Sequence, residues 1–312
     1  MSKILVTGGA GFIASQIVDA LVLEGHSVAV VDDLSSGLRE YINPQAKFYE
    51  LDINSPELPQ VFSDFQPEYV YHLAAQIDVR KSVENPELDN RINVLGGLKV
   101  LENCLKHQVK KIIFSSTGGA LYGEAKIIPT AEDYPTDPLS PYGINKLTFE
   151  KYLYYYNQVF GQNYTILRLA NVYGPRQYKG GEAGVIAIFT DQAIAGQPSR
   201  LYGDGLQTRD YVFVSDVVRA FILAMKTEYV GAINIGTSRE SSLLDVISEI
   251  EAALGHSLEV IKEPAKPGEC RRSALAFKRA QEVLGWEPQV FLPEGIALTV
   301  AWSKGRKSSS VG

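Results

Sequence analysis

Short apolar runs of strand length alternate with longer amphipathic stretches along the first half of the chain. Strands are predicted at residues 3–6, 28–31, 47–51, 69–73 and 111–115, and helices at 12–23, 58–65 and 91–107. Such alternation predicts an α/β protein with a doubly wound, Rossmann-like parallel sheet covered by helices on both faces. From residue 171 the pattern becomes a less regular mixture of loops, a helix at 185–195 and shorter elements. The chain is therefore read as a Rossmann-like part, 1–170, and a smaller mixed α/β part, 171–312. Strands near 211–214 and 232–235 are expected to return to the larger sheet. A last helix is predicted at 292–302, and the basic, serine-rich segment 304–312 reads as a frayed tail.

The first strand runs into Thr7-Gly8-Gly9-Ala10-Gly11-Phe12-Ile13-Ala14, with the spacing G-x-x-G-x-x-A, and then into a helix. Glycines let backbone approach a phosphate closely, and a helix N-terminus presents free N–H groups to it. Asp32 ends the second apolar run, 21 residues after Gly11. An acid there accepts hydrogen bonds from an adenosine ribose and repels a 2′-phosphate, which favours NAD over NADP. Further along, His72-Leu73-Ala74-Ala75 puts small residues at a strand's carboxyl end, where backbone passes close to a cofactor in an open parallel sheet. Hydroxyl residues Ser115, Ser116 and Thr117 end the fifth strand and are released by Gly118-Gly119.

Ser140-Pro141-Tyr142-Gly143-Ile144-Asn145-Lys146 reads as a helix start, with Ser140 as N-cap and Pro141 at the first helical position. Gly161 is a plausible residue past its end. Tyr142 and Lys146 are four apart and share a face, so the ammonium can stand near the phenol. A neighbouring cation stabilises phenolate, and this would let a group that ordinarily titrates near ~10 exchange a proton near neutral pH.

Composition removes several alternatives. With 312 residues, 45% hydrophobic and 21% charged, the chain can bury a large core. A net charge of -6 argues against nucleic acid or an anionic membrane as the main partner. No run of 18 apolar residues and no leader pattern are apparent, so a cytoplasmic protein is expected. Cys104 and Cys270 stand far apart with no CxxC or histidine-rich neighbour, so neither a disulfide nor a metal site is expected.

Taken together, the glycine turn, the Ser/Thr stretch and the Tyr142/Lys146 pair resemble the extended short-chain dehydrogenase/reductase family, and within it the sugar-nucleotide enzymes, above all the UDP-hexose 4-epimerases. The likeness runs from residue 3 to about 288. It is carried further by Val31-Asp32-Asp33-Leu34-Ser35-Ser36-Gly37, Leu51-Asp52-Ile53, Arg168-Leu169-Ala170-Asn171-Val172-Tyr173-Gly174-Pro175-Arg176-Gln177 and Gly203-Asp204-Gly205-Leu206-Gln207-Thr208-Arg209-Asp210-Tyr211-Val212.

The resemblance implies an NAD-dependent epimerase that acts at C4 of a UDP-sugar through a transient 4-ketose. Tyr142 would exchange the proton, Lys146 would tune it and bond the nicotinamide ribose, and Thr117 or Ser116 would bond the 4-hydroxyl. Gly8, Gly11, Phe12, Ile13 and Asp32 would hold the pyrophosphate and adenosine, Asp52 and Ile53 the adenine, and Ala74, Ala75, Asn93 and Ser115 the rest of the cofactor. Asn171, Tyr202, Arg209 and Arg271 would hold the substrate. Lys266-Pro267-Gly268-Glu269 resembles a family stretch that usually begins with Arg, and Ser273 falls where residue size sets the sugar pocket. The relatives that eliminate water carry Asp-Glu beside the hydroxyl residue, where this chain has Gly118 and Gly119. A UDP-glucuronate decarboxylase and a non-catalytic NAD-binding regulator are the alternatives. Tyr152, Tyr154, Tyr155 and Tyr156 give one helix more aromatic surface than a core face needs, and the family's helix-paired homodimer is expected to use it.

Overall fold

The computed structural model describes residues 1–177, 184–265 and 270–309. At its centre is a seven-stranded sheet. Lys47–Glu50, Ser27–Asp32, Lys3–Thr7, Tyr69–His72, Lys111–Thr117, Tyr164–Leu169 and Gly231–Ile235 lie side by side in that order. All their pairings are parallel. The direction of winding reverses between Lys3–Thr7 and Tyr69–His72, and in a doubly wound sheet the crevice beyond the carboxyl ends of such a pair is where ligands bind.

The continuous apolar runs follow from burial of both faces. Ile4, Val6, Val28 and Val30 face a layer that contains Ile17, Val18 and Leu21 of helix Phe12–Leu23 and Phe221 of helix Val214–Lys226. The alternate residues Leu5, Ala29, Val31 and Val70 face the other layer. There they meet Phe62 of Leu58–Phe65, Leu101 of Gly97–Lys106, and Phe149 and Leu153 of Pro141–Phe160. Each fully buried valine, leucine, isoleucine or phenylalanine among them contributes roughly 1.5–3 kcal/mol. Both helix layers are thereby fixed to one sheet, and the strand ends are held in register.

Three features differ from the expectations. Gly231–Ile235 pairs with Tyr164–Leu169, but Tyr211–Phe213 does not join the large sheet and pairs with Asn171–Tyr173 in a two-stranded sheet of its own. The reason is edge occupancy: Tyr164–Leu169 already has a neighbour on each side, so a further strand must pair with the chain after it has left the sheet at Ala170. Residues 91–107 begin as a π-helical turn, Arg91–Gly96, before passing into Gly97–Lys106. The last helix spans Leu292–Ser309 and so includes most of the segment read as a frayed tail. Arg306 helps to hold it, stacking over Trp302 and pairing with Glu40.

Candidate active site

Lys3–Thr7 ends at Gly8, whose φ of +74° suits glycine, and a Cβ there would stand 2.7 Å from the Ala74 nitrogen. The glycine turn thus lies against the end of the next strand. Gly11 caps helix Phe12–Leu23 without any side-chain bond to its N–H groups, and no acid occupies the first turn. The positive end of the helix is therefore suited to an anion. Phe12 and Ile13 form that first turn, each half-buried.

Asp32 is buried at the end of Ser27–Asp32 and accepts hydrogen bonds from the Ala10 N–H (2.9 Å) and the Leu34 N–H (2.8 Å). Burial raises its pKa above the ordinary value, and the two amide bonds act against that rise. Each carboxylate oxygen uses one lone pair on backbone, which leaves capacity for a diol. Asp52 is exposed, and Ile53 is buried next to Gly96. The Ala74 N–H donates to Thr7 Oγ1 (3.3 Å). Asn93, in the π-helical turn, clamps the following loop by donating to the Gln76 carbonyl (2.9 Å) and accepting from the Gln76 N–H (3.0 Å). A close-packed glycine turn, an uncapped helix N-terminus and a buried acid at the second strand end fit a dinucleotide.

Helix Pro141–Phe160 starts as expected, with the Gly143 N–H donating to Ser140 Oγ (3.2 Å). Lys146 is buried, and its Nζ donates to the Ser115 carbonyl (3.0 Å), 4.8 Å from the Phe114 ring centre and 5.9 Å from that of Tyr142. Ser115 therefore meets this site through its backbone. Burial lowers the Lys146 pKa to about 8, and the carboxylates of Asp89 and Glu150 act in the opposite direction. His72 stacks on Phe114, meets Phe149 edge-on and shares a 2.8 Å hydrogen bond with Thr7 Oγ1. Burial, with a smaller effect from Lys146, pushes its pKa down to about 3, so the ring is a neutral part of the floor.

Successive residues of a strand point to opposite faces, and this separates the two hydroxyl candidates. Ser116 is buried and donates to Glu150 Oε1 (2.6 Å). Glu150 is itself gripped by Arg168 through Nε (3.1 Å) and Nη2 (2.6 Å). Arg168 Nη1 in turn donates to the Tyr122 hydroxyl (2.8 Å), which donates to Asn234 (2.8 Å). The Ser116 hydroxyl is thus committed to an internal network. Thr117 faces the other way, half-buried at the strand's last position, and its Oγ1 accepts from the Ala120 N–H (3.3 Å). Asn171 is exposed beside the same loop, with its Oδ1 3.7 Å from where a Cβ on Gly119 would lie.

Tyr202 and Arg271 line a cavity of about 280 Å³ together with Gly203, Asp204, Gln207 and Cys270. Arg271 forks onto Asp204, donating from Nη1 and Nη2 at 2.8 Å each, and this pairing holds the Asp204 carboxyl well below its usual range. The Arg271 N–H also donates to Glu124 (3.3 Å), tying the cavity wall to the loop that follows Thr117. Arg209 Nη1 donates to the Thr208 carbonyl (2.8 Å), and Ser273 is half-buried next to the core residue Ala274. Residues 266–269, which include Lys266, lie outside the described residues.

Sequence reasoning missed Asp89 and Glu150, and placed His72, Asn145 and Arg168 inside motifs without giving them a role of their own. One of them carried a local signal, because Glu150 lies four residues after Lys146 on the same helix face. Among the described residues, no helix is long and apolar enough to cross a membrane.

Residues 4–236 match the model of the NAD dependent epimerase/dehydratase family. A UDP-glucose 4-epimerase of Mycolicibacterium smegmatis is 43% identical over 310 residues, covering 97% of this chain and 99% of the relative. A crystal structure of UDP-glucose 4-epimerase from Thermotoga maritima with UDP-glucose superposes with a TM-score of 0.95 at 48% identity, over 98% of this chain and 99% of that one. The Thermus thermophilus UDP-glucose 4-epimerase in complex with NAD superposes with a TM-score of 0.93 at 42% identity, over 97% and 99%. With the family match spanning most of the chain and these likenesses spanning nearly all of it, the protein belongs to the NAD dependent epimerase/dehydratase family.

Proposed function

We propose that the protein interconverts the C4 epimers of a UDP-hexose, UDP-glucose and UDP-galactose, through a transient 4-ketose. The observation that carries this reading is the Tyr142/Lys146 pair beside a dinucleotide cradle, in a chain whose near relatives are UDP-glucose 4-epimerases. NAD, when bound, supplies reversible two-electron oxidation at C4. Gly8, Gly11, Phe12, Ile13 and Asp32 hold its pyrophosphate and adenosine, with Asp52, Ile53, Ala74, Ala75, Asn93 and Ser115 along the remainder.

Tyr142 takes the proton from O4 as the ketose forms and returns it when the alcohol is restored. Lys146 keeps a cation near the phenolate, and Thr117 orients O4. Ser116 is assigned to the scaffold, because its proton is already given to Glu150. Inversion requires the ketose to turn over while the nucleotide stays anchored, so the second part of the chain, 171–312, must hold UDP firmly and the sugar loosely. Arg209 and Arg271 supply cations for the diphosphate, and Arg271 would exchange one charge-assisted fork, to Asp204, for another. Asn171 faces the sugar or phosphate and Tyr202 the uracil.

The small side chain of Ser273 is taken to leave room for an N-acetyl group. Purified protein given UDP-glucose and, separately, UDP-N-acetylglucosamine should yield the C4 epimer of each by NMR. No epimer from either sugar rejects the reaction. Turnover of UDP-glucose alone rejects the Ser273 assignment, and carbon dioxide release from UDP-glucuronate would favour the decarboxylase.

We infer also that two copies pair through helix Pro141–Phe160 and the neighbouring residues 91–106. Tyr154, Tyr155, Val159 and Phe160 are about half exposed on the first, as is Leu95 on the second. Light scattering should return twice the 34.3 kDa chain mass, and a monomer at micromolar concentration would reject the pairing.

A further inference from the structure

Asp89 is completely buried in the short helix Pro86–Asn90. Its Oδ1 accepts from Gln76 Nε2 (2.7 Å) and Asn93 Nδ2 (3.1 Å), and its Oδ2 accepts from Asn145 Nδ2 (2.7 Å). Asn145 Oδ1 in turn accepts from Asn90 Nδ2 (3.0 Å). The three amides that meet the carboxylate come from three segments of the candidate site. Gln76 follows Ala74 and Ala75, Asn93 clamps that same loop, and Asn145 directly precedes Lys146.

Burying a carboxylate is costly unless its charge is answered. Among the described residues no lysine or arginine forms an ion pair with Asp89, and the side chains that donate to it are the neutral amides of Gln76, Asn93 and Asn145. Glu150, the other carboxylate whose field reaches Lys146, is already neutralised by the Arg168 fork. Lys146 is also faced by His72, held neutral, and by Tyr142 on its own helix. Asp89 therefore keeps a net negative charge whose field reaches the Lys146 ammonium and favours its protonated form.

We propose that Asp89 is a positioning residue for the reaction: its buried carboxylate joins the Gln76 loop, the Asn93 turn and the helix bearing Tyr142 and Lys146 into one frame, and is the counter-charge of the Lys146 ammonium. The proposal rests on the epimerase reading only where turnover is the readout. Asp89→Asn removes the charge and places an NH₂ group where either Asn145 or the Gln76/Asn93 pair also donates. The double variant Asp89→Asn, Asn145→Asp reverses that one hydrogen bond. Its new carboxylate still accepts from Asn90 and puts the charge back next to Lys146.

Three measurements on the full-length protein test the proposal: kcat and KM for UDP-glucose across pH with NAD bound, NAD binding to the NAD-free protein by calorimetry, and circular dichroism. Asp89→Asn should keep its secondary structure, lose roughly 10- to 100-fold in kcat with little change in KM, and bind NAD more weakly. The alkaline limb of its kcat profile should move to lower pH, since the ammonium loses its proton more readily without the carboxylate. The double variant should recover most of each loss. Wild-type kcat, pH profile and NAD affinity in Asp89→Asn would overturn the proposal. Should the single variant fail to fold, the double decides: folded and active supports the frame, whereas folded but slow, or unfolded, overturns it. If wild-type protein did not turn over UDP-glucose, the epimerase reading would fail, and weaker or unchanged NAD binding in Asp89→Asn would still decide for or against the frame.

Discussion

Replacing Tyr142 by Phe is expected to lower epimerisation by about 10² to 10⁴-fold while NAD stays bound, the usual contribution of a general acid–base group. The substitution removes one oxygen and keeps the ring, so the helix start, its Ser140 cap and the contact of Lys146 with the Ser115 carbonyl should all survive. The loss should fall on kcat, because the proton leaves O4 during the chemical step and substrate is held mainly by its nucleotide. Residual turnover within a few-fold of wild type would sink the assignment of Tyr142. Loss of NAD from the purified variant would mean instead that the hydroxyl serves binding.

The largest expected effect on stability comes from Arg168→Leu. Arg168 and Glu150 are both buried, and burial opposes the guanidinium charge while the Glu150 carboxylate and the Tyr122 hydroxyl together more than offset that opposition. Removing one partner leaves Glu150 charged in the interior with Ser116 still donating to it, and the Tyr122 hydroxyl loses a donor. Breaking a buried pair in this way costs about 3–5 kcal/mol. Thermal unfolding should fall by on the order of 10 °C. Adding Glu150→Leu should recover part of the loss, since an apolar pair of similar volume often replaces a buried ion pair at little cost. The remaining deficit would reflect the Ser116 hydroxyl, which loses its acceptor, at roughly 1–3 kcal/mol for a polar group left unsatisfied, while Tyr122 keeps its bond to Asn234. An Arg168→Leu protein that unfolds within a degree or two of wild type would show that the network contributes little.

The strand and helix pattern was legible because both faces of a parallel sheet are buried, which writes apolar runs into Lys3–Thr7 and Ser27–Asp32. The glycine turn and the start of helix Pro141–Phe160 were equally legible, since turn geometry and capping involve residues a few positions apart. The end of the chain misled because a basic, serine-rich composition signals fraying, whereas Arg306 holds the helix through Trp302 and the distant Glu40. Tyr211–Phe213 misled for a similar reason: its apolar run predicts a strand and says nothing about which sheet edge remains available.

By itself, then, the sequence determined the doubly wound class, the glycine turn with Asp32 at the next strand end and the four-residue spacing of Tyr142 and Lys146, all of which rest on local pattern and spacing. Only the tertiary structure decided that the Ser116 hydroxyl is committed to Glu150 while Thr117 faces the other way, that Arg271 forks onto Asp204, and that Asp89 gathers the amides of Gln76, Asn93 and Asn145. Most of those bonds join residues far apart in the chain, and their partners are set by how two helix layers pack on one sheet. Hydrophobic patterning encodes that a residue is buried, whereas the direction of a hydrogen bond and the charge that answers it exist only once the layers have met.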